Sequence, residues 1–177
     1  MRYAQIRDMD IVNGQGIAVS LFVQGCSHHC LYCFNQSTWD FKGGKEWTQE
    51  VEDNFIELCK KDYITCVSLL GGDPLDQDVR TILKLVKRVK LETNKPIYIW
   101  TGYTFEEVFH SMSAIILPYI DYIIDGRFEQ DKRDLNLKLR GSSNQRIWHK
   151  VNSDTQEWKD ITEQIDKNSW QLISNRL

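Results

Sequence analysis

Residues 17–33 read IAVSLFVQGCSHHCLYC, an apolar, β-branched run that passes through one glycine into three cysteines spaced C-x-x-x-C-x-x-C. The run predicts a buried strand ending at Gly25, so the cysteine loop hangs from the strand's C-terminal end. Downstream, Thr48 reads as the N-cap of a helix to about Lys61, with Val51, Phe55, Leu58 and Cys59 on one face. YITCVSLL, from Tyr63, predicts a second strand that stops at GGDP, and a helix follows from about Asp76 to Lys90. Its apolar face is Val79, Ile82, Leu83, Val86 and Val89. PIYIW predicts another strand, Thr104-x-x-Glu107 a capping box opening a short helix, and DYIID a further strand.

Strands alternating with helices imply right-handed crossovers and a parallel sheet. Ligands of such sheets sit beyond the strand C-termini, where the CSHHCLYC, GGDP and DGRF segments all fall. A closed eight-stranded barrel typically takes about 250 residues. With 177 residues and five or six strand candidates, this sheet is expected to stay open on one side. The whole chain reads as one domain, with a core over about 1–150 and a C-terminal extension over 151–177. Trp158, Ile161 and Ile165 would stripe an amphipathic helix in that extension.

Composition narrows the function. Hydrophobic residues at 41% and charged residues at 27%, with 3 prolines and 10 glycines, describe a folded chain without low-complexity segments. No run approaches the roughly 18 to 20 apolar residues of a membrane helix, and MRYAQIRDMD lacks a signal-peptide pattern, so a cytoplasmic location and no membrane partner are expected. A net charge of -3 with 22 scattered basic residues gives no phosphate-binding stripe, so nucleic acid is not an expected partner. Three of five cysteines fall within eight residues, and in a reducing compartment cysteines point to metal ligation or catalysis before disulfides.

Zinc is the first competitor, since His28 and His29 lie among the cysteines. Structural zinc sites, however, usually pair two knuckles a dozen or more residues apart, and here every candidate ligand crowds one loop. A four-iron, four-sulfur cluster normally takes four thiolates. A loop offering three leaves one iron for a substrate to occupy. A zinc or iron-sulfur binding module without turnover is the rival of another class.

The cysteine spacing after a strand resembles the cluster motif of the radical S-adenosylmethionine (SAM) superfamily, whose fold is a full or partial (β/α) barrel. VNGQGIAVSLFVQGCSHHCLYCFNQSTW, GGDPL, WTGY, DGRF and RGSSNQR, in this order over about residues 1–150, resemble the activating proteins of anaerobic (class III) ribonucleotide reductases. The resemblance implies an open radical SAM barrel. Cys26, Cys30 and Cys33 would hold a 4Fe-4S cluster and, through it, carry catalysis, with SAM on the open iron.

It further implies that Tyr32 and Phe34, flanking Cys33, lie near the adenine, and that Gly71, Gly72 and Asp73 receive the SAM ammonium group. Thr101 and Gly102 would meet the ribose, and Asp125 and Arg127 would complete the site, Arg127 facing the SAM carboxylate. The implied activity is installation of a glycyl radical on the anaerobic reductase, with a reduced flavodoxin-like protein as electron donor. Another glycyl-radical enzyme is the alternative target. Asn13, Gly14, Gly16, Ser142, Ser143, Asn144 and Gln145 are expected to face the partner. His28 is read as shaping the loop, His29 as facing solvent, and Cys59 and Cys66 as core residues.

Overall fold

Ala18 to Gln24 is buried along its whole length, as a strand covered on both faces must be, and the sheet grows outward from it. The structure, a computed structural model, describes residues 1–167. In chain order the strands and helices are β1 (Arg2–Asp10), β2 (Ala18–Gln24), β3 (Lys45–Glu46), α1 (Gln49–Lys60), β4 (Cys66–Gly71), α2 (Val79–Thr93), β5 (Ile97–Trp100), α3 (Phe105–Phe109), β6 (Tyr122–Asp125), β7 (Arg146–Asn152), β8 (Glu157–Asp160) and α4 (Thr162–Asp166). One sheet runs β3-β1-β2-β4-β5-β6-β7-β8. Its centre, β2-β4-β5-β6, is parallel, and antiparallel strands flank it on both sides.

The helix ends form as their sequences dictate. Thr48 accepts from the Val51 N–H at the start of α1, and Thr104 and Glu107 close a reciprocal capping box on α3. Asp78 caps α2, and Asn94 ends it in the left-handed conformation that a helix C-terminus favours.

Alternation along β2 divides the core. Val19, Leu21 and Val23 face outward with Val67, Leu69, Ile97, Ile99 and Ile123, and α1 and α2 cover them through Phe55, Ile56, Cys59, Ile82, Leu85, Val86 and Val89. Ala18 faces the other way, into a smaller cluster with Cys66, Tyr98, Tyr122, Ile124, Ile147, Ile161 and Ile165. Cys59 and Cys66 are therefore packing residues on opposite faces of the sheet. Among the described residues no helix is long and apolar enough to cross a membrane.

Two expectations change. Among the described residues the sheet has eight strands, not five or six, and only four are joined by parallel pairing. β1 reads RYAQIRDMD, with few apolar side chains, because only its pairing with β2 and β3 makes it a strand. The helix expected to carry Trp158 is instead a hairpin, β7–β8. Asn152 Oδ1 turns its corner by accepting from the main-chain N–H groups of Asp154 and Thr155. Trp158 sits on β8, and among the described residues of the extension helix occurs only from Thr162 to Asp166. The part of the expected extension over 168–177 lies outside the described residues.

Candidate metal centre and cofactor cavity

The parallel strands end in register: Val23 pairs with Gly71, and Trp100 with Ile124. Beyond those ends lies a cavity of about 430 Å³, lined by Cys26, Cys30, Cys33, His28, Phe34, Gly71, Gly72, Asp73, Thr101 and Gly102 among others. This volume suits a nucleotide-sized ligand.

Backbone contacts hold the cysteine loop against the sheet. Gly25 N–H donates to Thr38 O at 2.7 Å, and Cys26 N–H to Trp39 O at 3.2 Å. His29 and Tyr32 adopt positive φ of 50° and 58°, which winds the loop tightly enough to turn its thiols to one side. The second loop interlocks with the first: Gly72 N–H donates to Val23 O at 2.8 Å and Asp73 N–H to Gly25 O at 2.9 Å. A Cβ on Gly72 would collide with the Gly25 carbonyl, so this approach requires glycine.

Asp73 is 1% exposed and its carboxylate is fully engaged. Oδ1 accepts from Leu75 N–H at 2.8 Å. Oδ2 accepts from Gly102 N–H at 2.8 Å and Thr101 Oγ1 at 3.0 Å, and pairs with His28 Nε2 at 2.8 Å. Pro74 follows, and Asp73 is extended, with φ −115° and ψ 118°. The His28 ring meets Tyr103 edge-on, with centroids 4.5 Å apart, and Tyr103 donates its hydroxyl to Asp76 at 2.7 Å. Asp76 also accepts from Ser27 N–H at 2.6 Å and Ser27 Oγ at 3.1 Å. Two carboxylates from the GGDPLD segment thus clamp the first turn of the cysteine loop.

The donor set distinguishes a cluster from a single ion. Cys26, Cys30 and Cys33 are free, half-buried thiols. Three thiolates sharing one zinc would lie within about 4 Å of one another. Among the described residues, only His28, Asp73 and Asp76 bring three ligand atoms within 4.8 Å, and the cysteine trio does not. Wider separation fits a four-iron centre, in which each thiolate takes its own iron. Burial pushes the Cys26 thiol up to about 11, with Asp73 and Asp76 adding to the rise, and burial raises Cys30 as well. Such thiols stay protonated at neutral pH until a positive metal centre displaces the proton. The residues present fit the cluster.

The cavity takes some of the other expected residues and not others. Phe34 lines it, edge-on to Phe128 at 5.1 Å. Thr101 lines it and is buried. Tyr32 is 64% exposed and does not line it. Asp125 is buried behind it, accepting from Phe105 N–H at 2.6 Å and pairing with Arg146 at 2.5 Å. Arg127 is exposed and off the lining, although its charge acts to lower the Cys30 pKa. His29 is exposed and stacks on Trp39.

The loops expected to face a partner are divided. Asn13 and Gln145 line the cavity, while Gly14 packs over Cys66 and Ser68. Ser142 is fully buried, and its hydroxyl accepts from Glu129 N–H. Asn144 and Gln145 donate to the carbonyls of Arg127 and Gly126, latching the DGRF loop.

Sequence reading missed Arg7, Trp39, Trp100, Phe128 and Arg140, all on the lining. The WTGY, DGRF and RGSSNQR blocks already contained three of them. Arg7 carried no signal, because its strand looks like solvated chain.

A family model described as a 4Fe-4S single cluster domain matches residues 12–148, so the chain belongs to the class of single-cluster iron-sulfur domains. Relatives of this chain carry the name anaerobic ribonucleoside-triphosphate reductase-activating protein. The protein of Vibrio cholerae is 46% identical over 151 residues, 83% of this chain and 97% of its own. That of Escherichia coli K12 is 42% identical over 153 residues, 84% and 99% of the two chains, and that of Enterobacteria phage T4 is 41% identical over 150 residues, 84% and 94%. The chain belongs to the family of anaerobic ribonucleoside-triphosphate reductase-activating proteins.

Proposed function

We propose that this chain is a radical SAM activase of an anaerobic ribonucleoside-triphosphate reductase, with a 4Fe-4S cluster on Cys26, Cys30 and Cys33. The observation that carries the reading is one cavity, at the C-terminal ends of four parallel strands, that gathers three unpaired thiols and the Gly71-Gly72 backbone. We read those strands as the centre of an open (β/α) half barrel, and residues 1–177 as one domain. When bound, the cluster and SAM together would supply a 5'-deoxyadenosyl radical that takes a hydrogen atom from a glycine Cα of the reductase, leaving a glycyl radical there.

The chain's own residues do the holding. Gly71 and Gly72 present main chain to the cavity for contact with a ligand, Thr101 and Gly102 form the adjoining wall, and Phe34 offers an aromatic surface for a base. Asp73 acts on the ligand through the loop it fixes. A cavity at the open edge of the strands suits a glycine loop on a large protein as hydrogen donor. A reduced flavodoxin-like protein would deliver the electron. The five unpaired cysteines accord with a reducing, cytoplasmic compartment.

Anaerobic reconstitution tests this reading. The expected result is a brown protein with about four irons per chain, methionine release from SAM under a strong reductant, and a glycyl-radical resonance when the reductase is added. Bound zinc without SAM cleavage would establish the non-catalytic module instead. A radical seen only on another glycyl-radical enzyme would reassign the partner.

A further inference from the structure

Arg140 is a charged residue on the cavity wall whose side chain is only 2% exposed. Its Nη1 donates to the Gln145 carbonyl at 2.9 Å, its Nη2 donates to the Asp166 carboxylate, and its Nε is buried with no partner among the described residues. A guanidinium carries five N–H donors, and a buried one left unmet is costly. Such a group persists where something else completes it.

Among the described residues, no other charged side chain on the lining is a buried cation with an unmet donor. Arg7 has a side chain 47% exposed and stacks over the Phe22 ring, and the Asp73 carboxylate already has its four partners. Arg127, the sequence's candidate for a ligand carboxylate, is off the lining.

Asp166 lies on α4, beyond residue 148, where the family match ends. α4 is fixed in place. Ile161 and Ile165 are buried beside Ala18, Cys66 and Tyr98. Ile161 N–H donates to Ile147 O at 2.9 Å, and Ile147 N–H to Thr162 Oγ1 at 2.8 Å. A segment outside the family match therefore reaches a residue of the cavity.

We propose that Arg140 is the residue of this cavity that recognises a ligand carboxylate, and that Asp166 positions it. The inference rests on the SAM reading above, in which the carboxylate is that of the SAM amino-acid group. A planar fork held on one side by Asp166 and the Gln145 carbonyl has lost its rotational freedom, and its remaining donors suit a carboxylate better than a lysine ammonium would.

The test compares SAM with decarboxylated SAM, which lacks only the carboxylate. Binding is measured by equilibrium dialysis on the full-length chain carrying its cluster, with iron content checked for every variant. In Arg140→Gln the preference for SAM is expected to fall at least about tenfold, while affinity for the decarboxylated analogue stays within about threefold. Arg140→Lys should retain part of the preference. Asp166→Asn should lower it by about three- to fivefold without loss of iron.

Contributions from elsewhere in the site are common to all variants and cancel. A preference unchanged in Arg140→Gln, or equal loss of both ligands, would overturn the inference. If Arg140→Gln fails to fold, Arg140→Lys and Asp166→Asn decide on the same ratio. Wild-type protein that binds no SAM would defeat the cofactor reading as well. SAM binding whose preference ignores Arg140 would defeat this inference alone.

Discussion

His28 Nε2 lies 2.8 Å from Asp73 Oδ2, with both side chains almost wholly buried, and the contact joins the cysteine loop to the end of β4. Asp73 lines the cavity where a ligand contact is expected, and its oxygens hold His28, Thr101, Gly102 and Leu75 together. Replacing Asp73 by Asn puts an amide N–H against at least one of those donors and removes an acceptor. The expected cost is about 1–3 kcal/mol. It should appear as a lower Tm and faster loss of iron to a chelator. Iron retention equal to the wild type would show that the loop needs no such clamp.

Cys26, Cys30 and Cys33 share the cavity, whereas Cys59 and Cys66 are buried in the two cores, with thiols pushed by burial up to about 12 and about 11. Any of the first three changed to Ala should abolish stable iron binding. Cys59→Ala and Cys66→Ala should keep it, losing the packing of one sulfur each and, at Cys66, a thiol hydrogen bond to the Gln15 carbonyl. Iron analysis of the five purified variants checks this, and equal loss across both groups would contradict the assignment.

These contrasts follow what the sequence makes visible. β2, β4, β5 and β6 and their helices were legible because burial makes each strand a continuous apolar run and because Thr48 and Thr104 announce helix starts. β1, β7 and β8 were not, because strands with an exposed face or edge position keep many polar side chains and exist only through their partners. The three cysteines and Gly71-Gly72 were legible as motifs. The work of Asp73 was not, since its partners His28 and Thr101 lie 45 and 28 positions away in the chain. Arg140 was hidden for the same reason: its partner Asp166 lies 26 positions further on.

Glycines at the site make a graded test. Gly72→Ala sets a methyl against the Gly25 backbone, which cannot move without shifting Cys26, while Gly126→Ala meets nothing closer than 3.8 Å. Gly126 has φ +94°, so its substitution costs about 1–2 kcal/mol of backbone strain. Gly72→Ala should therefore reduce iron per chain, and Gly126→Ala should lower Tm while leaving iron intact. The reverse order would mean that the interlocked loops are not what sets the cysteine geometry.

Arg146 predicts an acid-side signature. It meets both Glu106 oxygens, at 3.0 and 2.7 Å, and this pairing holds the Glu106 carboxyl down at about 2. A carboxyl whose pKa is depressed on folding contributes stability above its unfolded value, and that contribution disappears as pH falls through the folded one. Glu106→Gln should thus lower Tm slightly at pH 7, with the difference from wild type closing between pH 4.5 and about 2. The Glu106 side chain is 56% exposed, so solvent screening keeps the effect below about 1 kcal/mol. Arg146→Met should cost more, about 3 kcal/mol, because it strips the ion pair from Asp125, whose side chain is 1% exposed. Thermal melts across this pH range separate the two substitutions, and a Glu106→Gln difference that widens on acidification would refute the pairing.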